Sequence, residues 1–208
     1  MTSTPQPPSS PVRRILVTAT LAVAALGLAG CGAMKAQNPS GSLKPVNAVA
    51  MAPDARVMLA GADVVAYFTE GRHRQGSPGF RSEYEGVVFH FASAEHKTLF
   101  DAEPARYLPQ FGGYCTNGIV YAIPWGGDAD SWLMIDGQLY IFGGQASKEA
   151  FELDVPGNLA LAEKYWNEEV RGRNSFIQRA QRLVFKVPHY QTGEQLAKAV
   201  AEARARNP

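Results

Sequence analysis

The residues of this chain best suited to chemistry are the soft ones: two cysteines, Cys31 and Cys115, and four histidines, His73, His90, His96 and His189. Cys115 follows Gly112-Gly113-Tyr114, where paired glycines imply tight backbone geometry with amides open to a partner, a setting that suits a reactive thiolate. With His96 or His90 nearby, the Cys115 sulfur would make a soft site suited to Cu(I) and less so to Zn(II). Two further readings stay open: a buried small apolar residue, as free Cys commonly is, and a redox or catalytic thiol. His90 lies between Phe89 and Phe91 in an alternating run, so it falls on the opposite, polar face of that strand. His96 lies near the start of a helix and is expected at the surface. His73 sits in a loop and His189 near the C-terminus, neither with a partner visible in sequence. One usable thiol and four scattered imidazoles do not suit a closed zinc site, which needs converging ligands. The candidate metal set is Cys115, His96 and His90, with copper the cofactor it would take.

Cys31 belongs to a different pattern. Arg13 and Arg14 precede an uncharged stretch from Ile15 to Gly30, which ends in Leu28-Ala29-Gly30-Cys31. A basic start followed by an apolar run shorter than the roughly 20 residues of a membrane span is the layout of a secretory signal. The final tetrapeptide resembles a lipobox: small residues suit a peptidase cleft, and the thiol accepts the lipid. The expectation is a signal peptide over 1–30 and lipidation of Cys31. The mature chain would be exported and lipid-anchored to the cell-envelope membrane, facing the periplasm or the cell exterior. An uncleaved N-terminal anchor helix is the alternative. Acylation of Cys31 would leave Cys115 without an intramolecular disulfide partner despite an oxidising compartment.

Composition narrows the rest. The chain has 208 residues, and what remains after the signal is long enough for one domain with extensions. A formal net charge of +1 gives nucleic-acid binding no footing, so nucleic acid is not among the expected partners. No P-loop, dinucleotide fingerprint, nucleophile elbow or zinc-protease helix occurs.

These residues need elements to hold them. Residues 31–54 mix Ala, Gly, Ser, Pro and Asn and read as a lipidated flexible tether. Asp63 is placed to cap a short helix through Phe68 rather than to act as a base. Residues 71–79 read as a polar loop. Tyr84, then Val87, Phe89 and Phe91, predict a hairpin about Glu85-Gly86, and Ser93 caps a helix over 94–102. Pro104 opens a turn. Trp132–Ile135 and Gln138–Phe142 around Asp136-Gly137 predict a hairpin with a type I′ turn. Ser147 is placed to cap a helix ended by Pro156-Gly157, and Asn158 to cap a longer one carrying Ala162, Tyr165 and Val170. Residues 171–208 hold eight cations and two acids, with helices expected over 175–185 and 192–205. Such a stretch is either a solvated appendage or a contact for anionic lipid or a protein partner.

From Asp63 to Asn158 the chain resembles the YHS-domain family. The resemblance is carried by Asp63-Val64-Val65-Ala66-Tyr67-Phe68, Gly76-Ser77-Pro78, Tyr84 to Glu95, Pro104-Ala105-Arg106-Tyr107, Gln110 to Cys115, Asp136 to Tyr140 and Pro156-Gly157-Asn158. It implies an α+β fold, a small antiparallel sheet with packed helices, over residues 55–158. A basic helical C-terminal extension over 159–208 lies beyond it. YHS domains are similar to Cys-rich metal modules of copper-transporting ATPases, whose three thiolates correspond here to Ala66, Ala92 and His96. The thiolate set is therefore lost, and of those positions only His96 keeps a metal-binding side chain. The function expected is an envelope-anchored lipoprotein that binds a metal ion or a partner without catalysis. A thiol enzyme using Cys115 and a structural protein docking through its basic helices are the alternatives.

Overall fold

The computed structural model describes residues 37–38 and 45–206. The signal peptide, Cys31 and half of the tether, residues 31–36 and 39–44, therefore lie outside the described residues. The first elements are β1 (Ala48–Met51) and β2 (Asp54–Met58), an antiparallel pair with Ala48 opposite Met58. The tether expected through residue 54 thus ends sooner. Ala48, Val57 and Met58 are buried, and that burial holds the pair in the sheet.

After α1 (Ala66–Thr69) come β3 (Ser77–Tyr84) and β4 (Val87–Phe91), joined at Glu85 and Gly86, both with positive φ. β3 begins inside what reads as a polar loop. The strands order β1-β2-β4-β3. Their pairings are antiparallel except β2 with β4, which run parallel and meet at Val57 and Val88. The α2 helix (Ala94–Ala102) starts where expected, with the Ser93 hydroxyl accepting from the His96 amide at 3.1 Å.

The second half runs α3 (Thr116–Ile119), β5 (Asp128–Ile135), β6 (Gln138–Phe142), α4 (Gln145–Glu152) and α5 (Val155–Tyr165). A single π turn, Trp166–Val170, follows, then α6 (Ser175–Val184) and α7 (Gly193–Arg206). Two helix starts differ from the sequence reading. Gly144, not Ser147, precedes α4, and the Asp154 side chain caps α5 by accepting from the Gly157 amide at 3.1 Å. Pro156-Gly157 therefore opens α5 instead of ending α4, in keeping with proline in a first turn.

The β5–β6 hairpin explains why the fold has two cores. Its strands alternate, yet both sets are apolar. Trp132, Met134, Leu139 and Ile141 face a first core with Phe89, Phe91, Phe100 and Tyr107. Leu133, Ile135, Tyr140 and Phe142 face a second with Tyr114, Ile119, Phe151 and Tyr165. A period of two puts successive residues on opposite faces, so one ribbon serves as the shared wall. The second core also takes Ala162, Val170 and Val187 from the C-terminal part of the chain. Among the described residues, no helix is long and apolar enough to cross a membrane.

Candidate functional site

The three residues of the candidate metal set go to three places. His90 is 3% exposed, not solvent-facing as its polar-face position implies. The face assignment itself holds, but the chain from Gly61 to Gly76 lies across it. A methyl group at Gly76 would come within 2.5 Å of the His90 carbonyl oxygen, so this approach is open to glycine alone. His90 Nε2 stands 3.6 Å from Asp54, whose other oxygen accepts from Arg81 at 2.7 Å.

His96 is also buried, where a surface position was expected. Its Nδ1 donates to Asp63 Oδ2 at 2.7 Å. Its Nε2 faces the Thr69 hydroxyl at 3.2 Å and Glu70 at 3.6 Å. Hydrogen bonds from Arg74 and Arg72 hold the Glu70 carboxyl below the ordinary glutamate value. Asp63 is fully buried and does more than cap α1. Its Oδ1 accepts from the Val65 and Ala66 amides, and its Oδ2 accepts from the Ala92 amide as well as His96. Ala66, Ala92 and His96, the positions matched to thiolates in the copper-pump branch, thus all direct a donor at one carboxylate. A carboxylate ringed by donors has no lone pair left for a cation, and the His96 imidazole has both nitrogens engaged. The residues present do not fit copper. Among the described residues no group of three or more His, Cys, Asp or Glu could hold a metal ion. Cys115, His96 and His90 therefore share no metal centre.

Cys115 lies elsewhere, between the second core and the C-terminal arm. It is 4% exposed, and its amide donates to the Trp125 carbonyl at 2.9 Å. Its sulfur lies 3.1 Å from Ser147 Oγ, so the serine expected to cap a helix is a partner of the thiol instead. Beside them opens a pocket of about 150 Å³. Asn117, Ser147 and Gln191 offer it polar groups, while Tyr121, Trp125 and Leu196 give apolar walls. Burial, with the Tyr190 phenol alongside, pushes the Tyr121 phenol above its usual value, so it stays neutral at physiological pH. The lining contains no imidazole, carboxylate, amine or guanidinium.

The arm that roofs the pocket is pinned by a residue with no partner visible in the sequence. The His189 ring stacks between Tyr121 and Tyr165, centroids 5.5 and 5.7 Å away, and its Nε2 donates to the Val120 carbonyl at 2.9 Å. Sequence reasoning missed Ser147 as the partner of the Cys115 thiol, Gln191 and Leu196 as lining of the pocket, and His189 as the pin of the arm. Ser147 lies 32 residues from Cys115, and no local spacing announces such a contact. Compared with protein-family models, curated proteins and solved structures, the chain gives no match.

Proposed function

We propose that this chain is an exported lipoprotein, anchored through Cys31, whose YHS-like domain binds a small neutral ligand in the pocket beside Cys115. The observation that carries this reading is the buried thiol at the wall of a partly open pocket of about 150 Å³. That volume is several times the ~30 Å³ share of one water molecule and suits a compact guest of a few heavy atoms. Neutral walls favour an uncharged ligand, which Asn117, Ser147 and Gln191 orient by hydrogen bonds while the aromatic and aliphatic groups exclude water. The YHS-like reading is supported by the way its matched segments, Asp63 to Phe68 and Tyr84 to Glu95, with His96 just after the second, meet at the buried Asp63 carboxylate.

Mass spectrometry of the exported protein tests both parts separately. The N-terminal peptide should begin at an acylated Cys31. Treatment of the folded protein with methyl methanethiosulfonate should modify Cys115, while a bulky aromatic disulfide should spare it until Leu196→Ala loosens the roof. If Cys115 resists the small reagent until the protein is unfolded, the pocket does not admit ligands and the binding reading fails, whatever the state of Cys31.

A further inference from the structure

The α6 helix is built inside out. In a globular protein an amphipathic helix turns its apolar stripe to the core. Here the buried residues of the helix are Ser175 and Gln178, 2% and 1% exposed. Gln178 donates to the Ala122 carbonyl and to Glu169, Arg179 donates to the Pro124 carbonyl, and Arg182 forks onto Glu169. The residues facing outward are Phe176 (53% exposed), Ile177 (63%), Leu183 (46%) and Val184 (72%), and Phe185 (68%) follows the last turn. Positions 176, 177, 183 and 184 recur at i, i+1, i+7 and i+8, so they form one stripe. Contiguous exposed apolar surface of this kind marks a contact.

Charge and chain connection identify the contact. From Val170 to Gly193 there are five cations, Arg171, Arg173, Arg179, Arg182 and Lys186, and no Asp or Glu. Arg171, Arg173 and Lys186 are exposed at the two ends of the helix. A second copy packed face to face would bring these like charges together, whereas an anionic bilayer surface complements them. The Ser175 amide, at the start of α6, donates to the Asn38 side chain at 2.9 Å. Asn38 is seven residues after Cys31, a reach of at most about 25 Å for an extended chain. A lipid on Cys31 would therefore hold this helix close to the membrane.

We infer that α6 is an interfacial membrane helix, a second attachment that lays its apolar stripe into an anionic lipid surface. The inference takes from the proposed function only the site of the lipid, and it is independent of the pocket. Its chemistry is that of a basic amphipathic helix: apolar side chains enter the headgroup–acyl boundary and flanking cations meet lipid phosphates.

The test uses the unlipidated chain from residue 32 onward, which retains every described element and both cores. It should co-sediment with vesicles containing phosphatidylglycerol, more weakly with phosphatidylcholine vesicles, and less as salt rises. The double variant Ile177→Glu, Val184→Glu should lose about tenfold or more of that binding. Urea unfolding checks that the variant still folds, as it should with both sites largely exposed. A milder pair, Val184→Ser with Phe185→Ser, should weaken binding in the same direction. Equal sedimentation of wild type and both variants would overturn the inference. So would absence of vesicle binding together with a concentration-dependent dimer that the variants dissolve, an outcome that assigns the stripe to a second copy. Because the test protein carries no lipid, neither outcome depends on whether Cys31 is acylated.

Discussion

Asp63 shows how much one side chain can be asked to satisfy. Each of its two oxygens accepts two donors inside a fully buried site. An amide in its place must turn its NH₂ group against two N–H donors whichever way it flips. Asp63→Asn should therefore cost about 2–4 kcal/mol, read as a lowered urea midpoint, although it changes a single atom. Asp63→Glu should also destabilise, because the added methylene cannot keep both oxygens in register with four donors. The sequence makes the cap readable, since an acid two or three residues before a short helix is a local signal. It does not reveal His96 and Ala92 as partners, because they join Asp63 from 33 and 29 residues away through the β4–α2 connection. Cys115 was legible as a lone thiol for the same local reason. Its pocket was not, because the roof arrives from beyond Pro188.

Among elements, hairpins were the most legible. Asp136-Gly137 takes positive φ at both positions, 49° and 74°, as a type I′ turn requires, and the strands on either side match the alternation of Trp132–Ile135 and Gln138–Phe142. The β1–β2 pair escaped because Ala48–Met51 is short and its neighbours are tether-like in composition; only burial against the first core makes it a strand. Two glycines give these elements a quantitative test. Gly137 has nothing within 4 Å of where a side chain would start, so Gly137→Ala carries only the left-handed backbone cost, about 1–2 kcal/mol. Gly112 has the same backbone sign, φ 64°, and a methyl there would sit 2.6 Å from the Pro45 carbonyl oxygen. Gly112→Ala should cost clearly more, and thermal melts of the two variants side by side should separate them. Equal losses would mean that the chain near Pro45 yields freely.

At the scale of the whole molecule, two cores share one hairpin, and α6 is fastened outside them chiefly by polar contacts. Glu169 is the fastening. Burial works against its charge, yet the Arg182 fork and the Gln178 amide outweigh that and hold its carboxyl below the ordinary value of 4.5. A carboxyl depressed in the folded state adds stability above its unfolded pKa, and that stability fades as pH falls through the folded value. Unfolding free energy should therefore decline below about pH 4.5. Glu169→Gln should flatten that decline while lowering stability at neutral pH. Parallel acid profiles for wild type and variant would show that Glu169 does not couple α6 to the body. The basic character of residues 171–208 was plain in the sequence. The reversal of α6 was not, because periodicity shows that a helix is two-sided without saying which side meets its own protein.

If Cys31 carries the proposed lipid, the hydrogen bond between Asn38 and the start of α6 has a further consequence for the affinity that the proposed membrane contact requires. A segment leashed within about 25 Å of a bilayer meets it at an effective concentration in the millimolar range, set by the leash rather than by the number of protein copies. An affinity that sediments only part of a free protein with vesicles would then keep the helix seated most of the time. Rapid release and rebinding would let the body tilt against the membrane without leaving it. Lengthening the stretch between Cys31 and Asn38 would dilute the helix away from its surface without altering one of its contacts.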